Sequence, residues 1–388
     1  MTIAPAFLGY TARLRQFMAQ TGAHETAESK PWMEERFSGL ALELFALQFD
    51  GNPVYRKLCE AGGLSPRAVS HWEHIPAVPI GAFKEFELTS LTEAQRTTVF
   101  HSSGTTGHRP SRHFHNATSL ALYEASLLSW FQPHMFPEPG AVWEKGVSGK
   151  DCRPVFVILT PPAAQAPHSS LVHMFETVRR EFGAPASMFG GSIEPDGAWS
   201  LHLGPIDEAL QASIRANRPA VLLGTAFNFV HLLEHQIAQK QRYKLPVGSR
   251  VLETGGYKGR SRAFPKVELR ALIAEYLGIP LSHIIGEYGM SELSSQAYDA
   301  VAGKPGKAEN GIRTFRFPPW TVVQIVSPET GREAAEGEAG LVRLLDLANV
   351  SSVLAIQTDD VGMRRGDEFE LVGRGPTAEP RGCSLMAL

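Results

Sequence analysis

Four short apolar runs between residues 154 and 289, PVFVILT, AVLLGT, SRVLETGG and SHIIGEYG, set the strongest limit on how this chain can fold. They are β-branched, brief and bounded by turn residues, which predicts strands. Two of the intervals hold FNFVHLLEHQIAQKQR and PKVELRALIAEYLG, whose apolar residues recur at helical spacing. Strand and helix in alternation call for a mostly parallel sheet with helices on both faces, so the expected fold class is α/β.

The flanks read differently. The first hundred residues are mainly helical in pattern, as in FSGLALELFALQFD, with breaks at GNP and GGLSP and a proline-broken connector, HIPAVPIGAFKEFEL. After about residue 305 the helical periodicity fades. TVVQIVSPETGRE, GLVRLLDLA, SVLAIQTDD and DEFELVGR predict strands joined by turns, hence a small β-rich subdomain. The expected division is a helical part over 1–95, an α/β nucleotide-binding core over 96–305 and a β-rich subdomain with a cysteine-bearing tail over 306–388.

A net charge of -3 gives no basic face for nucleic acid. Three cysteines, Cys59, Cys152 and Cys383, are an odd number without metal-ligand spacing, which favours a reducing compartment, by default the cytoplasm. The N-terminus lacks a charged segment followed by an apolar core and cleavage site. The longest stretch free of Asp, Glu, Lys and Arg, 154–175, is interrupted by prolines, so no membrane span is expected.

Three segments can carry chemistry. In SSGTTG, Gly104 and Gly107 free the backbone to turn consecutive amides into one concavity, and Ser102, Ser103, Thr105 and Thr106 add hydroxyls. Such a nest suits polyphosphate oxygens, although the same string also reads as an ordinary turn, and it lacks the lysine of a Walker A loop. In GEYGMSELSSQAYD, Tyr288 can stack on a base and Glu292 can hold Mg²⁺ between phosphate oxygens; singly they also read as a packing ring and a solvated charge. In QTDDVG and LVGR, Asp360 can accept from ribose hydroxyls and Arg374 can donate to ribose or phosphate.

The order of these segments resembles the adenylate-forming enzymes, with Ser291 where threonine is usual and Asp359 where glycine is usual. A narrower resemblance covers most of the chain. IPAVPIGAFKEFEL, TGGYKGRSR, EYGMSELSSQAYD, LANVSSVLAIQTDDVG and GRGPTAEPRGCSL are similar to the acyl-protein synthetase family known from the fatty-acid reductase complex of bacterial luminescence.

That resemblance implies the fold of an adenylate-forming N-terminal domain, and ATP-dependent conversion of a carboxylic acid, expected to be a fatty acid, into acyl-AMP. It implies that Ser102 to Gly107 hold the ATP phosphates with Arg112 beside them, and that Gly255, Gly256 and Tyr288 border the adenine. Asp360 and Arg374 would face the ribose, Glu292 would carry Mg²⁺, and Phe227 in LLGTAF would wall the acid pocket. Lys258, Arg260 and Arg262 add positive charge nearby.

The chain stops soon after a hinge-like GRGPTAEPRG, so the further C-terminal domain of larger relatives is expected to be missing, and Pro376 stands near their hinge acid. Cys383 in the GCSL tail is then the expected acyl acceptor, passing the group to a reductase or carrier protein. An acyl- or aryl-CoA ligase and a non-catalytic nucleotide-binding subunit are the alternative readings.

Overall fold

The structure, a computed structural model, describes residues 5–21, 30–102, 109–138, 153–255, 265–304, 308–309 and 312–375. At its centre the four runs singled out above lie side by side. Val155–Ile158, Ala220–Thr225, Arg250–Thr254 and Ile284–Tyr288 form consecutive parallel strands, with Met188–Phe189 added at one edge and the antiparallel Ala297–Tyr298 at the other. All four are buried along their whole length, as expected where helices cover both faces.

Side-chain alternation along these strands divides the interior in two. Phe156, Ile158, Val221, Leu223, Leu252 and Ile285 face one core with the helices Ala117–Met135 and Ser170–Phe182. Val155, Val157, Ala220, Leu222, Val251 and Ile284 face the other with Leu203–Arg215, Ala226–Ala238 and Lys266–Leu277. The Ala226–Ala238 helix begins where Thr225 and Asn228 form a reciprocal capping box, each side chain satisfying a free backbone N–H of the other.

The β-rich subdomain also forms as expected. Thr321–Val326, Ala339–Asp346, Ala355–Arg365 and Glu368–Arg374 make an antiparallel sheet. What the sequence did not suggest is its fifth strand. Val78–Pro79, from the proline-broken connector, pairs in parallel with Ile356 and Gln357, and proline is tolerated there because the strand is at the sheet's edge.

The N-terminal helices Pro5–Thr21 and Lys30–Gly51 pack on this subdomain, within the core that covers one face of the parallel sheet. Buried polar bonds fix the contact. The Tyr10 hydroxyl donates to Leu347 O (3.1 Å), Gln48 Nε2 donates to Asn349 O (2.7 Å), and Gln48 Oε1 accepts from Leu354 N (2.8 Å). An unmade bond at such a site would leave a desolvated polar group, so these contacts set one docking geometry. No helix among the described residues is long and apolar enough to cross a membrane.

Candidate active site

Past the C-terminal ends of the central strands, where ligands gather in open α/β sheets, lies a cavity of about 960 Å³. Its walls come from distant parts of the chain. Thr254, Gly255 and Tyr288 supply the sheet side, His101 and Ser102 a hairpin, and Thr358, Asp359, Asp360, Gly373 and Arg374 the β-rich subdomain. Gly255, directly after its strand, has φ 71°, the left-handed region that glycine enters freely.

Tyr288 is only 8 % exposed and stands against Phe315, Phe317 and Phe369 at centroid distances of 5.9, 6.0 and 5.5 Å. Its hydroxyl donates to Asp360 Oδ2 (2.8 Å), and Arg374 Nε donates to Asp360 Oδ1 (3.1 Å). Strand register produces this chain of bonds, since Asp360 and Arg374 are direct antiparallel partners. Burial and the Asp360 carboxylate push the Tyr288 hydroxyl well above its ordinary pKa, so it stays a donor.

Glu292 is not a solvated loop charge. It is 1 % exposed, lines the cavity, and its Oε1 accepts from Ser111 Oγ (2.6 Å). The neighbouring loop is tied to the Thr98–His101/Arg112–His115 hairpin, because His113 Nδ1 donates to Ser291 O (2.9 Å) and Ser291 Oγ to His101 O (3.1 Å). Burial pushes His113 down to about 4, which keeps it neutral. Behind the loop the buried Asp346 gathers four donors: Ser294 N (2.9 Å), Ser295 Oγ (2.8 Å), Ala348 N (2.9 Å) and Thr321 Oγ1 (3.3 Å). No sequence motif marked Ser111, His113 or Asp346.

Two of the expected residues stand outside this cavity's lining. Arg112 does not line the cavity; it pairs with Glu87 Oε1 (2.8 Å) and lies near the Phe114 ring. Strand alternation is the reason: Ser111 and His113 reach the Glu292 loop, so the residue between them points to the opposite face. Phe227 does not line the cavity either, and its ring packs on His231 one helical turn away. The apolar wall comes instead from Ile80, Leu171, Met174 and Trp199.

Ser102, Gly255, Tyr288, Glu292, Asp360 and Arg374 therefore border one cavity. Ser103, Gly104, Thr105, Thr106, Gly107, Gly256, Lys258, Arg260, Arg262, Pro376 and Cys383 lie outside the described residues.

A buried charge cluster forms another part of the wall. Arg270 donates to Asp299 Oδ2 (2.5 Å), Arg313 stands 3.4 Å from Asp299 Oδ1, and Lys266 pairs with the buried Glu253. Glu287, which accepts from Thr254 Oγ1, is raised by burial to about 7. Between its ordinary 4.5 and that value the folded state binds more protons than the unfolded chain. Stability from this group is thus present at low pH and lost as pH rises through 7. Glu287→Gln should stabilise the protein at pH 8 by up to about 3 kcal/mol while changing little at pH 4.5. Urea unfolding at both pH values checks this, and parallel curves for the two proteins would refute it.

Residues 206–387 match the family described as "Acyl-protein synthetase, LuxE". Two relatives are long-chain-fatty-acid–luciferin-component ligases. The one from Aliivibrio fischeri is 25 % identical over 177 residues, covering 42 % of this chain and 44 % of that protein. The one from Vibrio harveyi is 25 % identical over 144 residues, 35 % of each. These matches span less than half the length of either relative.

Among solved structures, an open conformation of 2-hydroxyisobutyryl-CoA ligase in complex with 2-HIB-AMP and CoA superposes with a TM-score of 0.61. It is 14 % identical and covers 90 % of this chain and 79 % of the other. The same ligase in its thioesterification state gives 0.61 at 15 % identity, over 91 % of this chain and 69 % of the other. Over residues 206–387 the chain is thus similar to the LuxE acyl-protein synthetases, and its fold is that of the adenylate-forming ligases.

Proposed function

We propose that this protein activates a carboxylic acid, a fatty acid by its family, as an acyl adenylate and then transfers the acyl group to Cys383 and on to a partner protein. One observation carries the reading. Six residues from four separated segments, each expected to meet one nucleotide, border a single cavity at the sheet's C-terminal edge.

The chemistry asks mainly for positioning and charge. A substrate carboxylate oxygen attacks the α-phosphorus of ATP, the bond to the β-phosphate oxygen breaks, and pyrophosphate leaves. No protein nucleophile is needed, so orientation and electrostatics do most of the work. Tyr288 offers a ring face to the base, while Asp360, fixed by Tyr288 and Arg374, accepts from ribose hydroxyls.

Glu292 is the residue that would hold Mg²⁺. It suits a hard cation as a buried carboxylate on the cavity wall. When bound, the ion would neutralise charge building on the leaving phosphates. In the second step the Cys383 thiolate attacks the acyl carbon, its C–O bond to phosphate breaks, and AMP departs.

Acid-dependent exchange of labelled pyrophosphate into ATP tests the first step; absence of exchange across short, long and aromatic acids would leave a nucleotide-binding subunit. For the second, labelled acid plus ATP should leave a hydroxylamine-sensitive mark that Cys383→Ser removes while exchange persists. Equal labelling of that variant, or rapid CoA thioester formation, would discard the cysteine.

A further inference from the structure

The cavity has two sides, because successive residues of the strand Ile284–Tyr288 point to opposite faces of the sheet. Tyr288 turns to Asp360 and the β-rich subdomain, the nucleotide side. Glu287 shares a face with Ile285, the face covered by the helices Ala117–Met135 and Ser170–Phe182. Those helices give the cavity Tyr123, Leu171 and Met174. Part of the cavity's apolar wall therefore stands on the side of Glu287, away from the base and ribose.

Two polar groups on that side have no role in the adenylation step. Gln296 lines the cavity and is only 5 % exposed, yet its carboxamide makes no hydrogen bond among the described residues. Glu287, 6 % exposed, accepts from Thr254 Oγ1 through Oε2, while its Oε1 has no donor among them. The two are neighbours across Gly289: a Cβ added there would collide with Glu287 Oε1 and lie 3.6 Å from Gln296 Cγ. All three residues line the cavity, so the glycine keeps open a space that both polar groups border.

We propose that the carboxylic acid taken by this site carries a hydroxyl group, held by Gln296 and Glu287, on an otherwise apolar skeleton. Resting on the adenylation proposed for this cavity, the inference narrows its substrate class. A hydroxyl is the single group that both donates and accepts, as an amide N–H and C=O beside a carboxyl oxygen require. An ammonium would sit beside Lys266, Arg270 and Arg313 on the same wall, and burial raises Glu287 to about 7, which leaves much of it without charge to hold a cation. A second carboxylate would meet Glu287 and Asp299. An unsubstituted alkyl chain would shut Gln296 and Glu287 Oε1 from water and give no bond in exchange.

The test is pyrophosphate exchange with matched acids, each unsubstituted acid against its 2-hydroxy, 3-hydroxy and terminal-hydroxy forms, at short, medium and long chain lengths. In the wild type the hydroxyl at one of these positions should raise kcat/KM about 10- to 100-fold, the scale of leaving buried polar groups unpaired. Gln296→Leu should reduce that preference to about threefold or less, by favouring the unsubstituted acid and penalising the hydroxylated one. Its urea midpoint should not fall, since Gln296 gives up no hydrogen bond on replacement.

Unsubstituted acids that exchange as well as every hydroxylated form would overturn the proposal and leave adenylation standing, a comparison that needs no variant. A hydroxyl preference unchanged in Gln296→Leu would refute the assignment. So would an equal loss for both members of a pair, which would put Gln296 on the shared carboxylate, and so would a stronger preference for the matching amino acid. No exchange with any acid would instead remove the adenylation itself, and this inference with it.

Discussion

Replacing Glu292 by Gln should lower acid-dependent pyrophosphate exchange by a factor of about 10² to 10³, the scale set by removing one preorganised electrostatic group from a reacting phosphate or acyl centre. The fold should survive. Gln is nearly isosteric, and its amide oxygen can still accept from Ser111 Oγ as Glu292 Oε1 does now. Removing a charge from a site only 1 % exposed also relieves desolvation. Loss of exchange with an unchanged urea midpoint would identify the carboxylate's charge as the missing element. Wild-type exchange in the variant would remove Glu292 from the chemistry and with it the cation assignment.

Asp346→Ala has the larger consequence for the fold, an expected loss of about 3 to 5 kcal/mol, because several buried polar groups lose their partner at once. The four donors that converge on Asp346 come from the turn after Glu292, from Ala348 and from Thr321 at the start of a strand. Burial pushes this carboxyl above its ordinary pKa, yet those hydrogen bonds to the charged form pull the other way.

Asp346→Asn separates the contributions. It keeps an oxygen for the three donors at Oδ1 but sets an NH₂ against Ser294 N, so its expected cost is smaller, about 1 to 3 kcal/mol. Chemical denaturation of both variants decides the order. A larger loss in Asn than in Ala, or no loss in Ala, would mean that these donors find other partners. Because the same turn holds Glu292, exchange should fall in both variants.

Much of the architecture was legible because two periodicities are written locally. The runs at 155–158, 220–225, 250–254 and 284–288 are mostly apolar and buried throughout, as suits strands covered on both faces, and the helices between them carry one apolar stripe each. The motifs also singled out Tyr288, Glu292, Asp360 and Arg374, which the structure brings to one cavity wall. Arg112 and Phe227 stand off the cavity wall for one shared reason: a residue's place in a motif does not say which face of its strand or helix it occupies.

Fold class and the positions of the central strands were thus determined by the amino-acid sequence alone, since propensity and periodicity are short-range properties. Only the tertiary structure decided that Val78–Pro79 completes the C-terminal sheet, that Asp346 anchors the Glu292 turn, and that Glu287 sits where burial raises it to about 7. Each of those depends on contacts between residues tens to hundreds of positions apart. Desolvation and charge pairing act through space, and spacing along the chain carries no record of them.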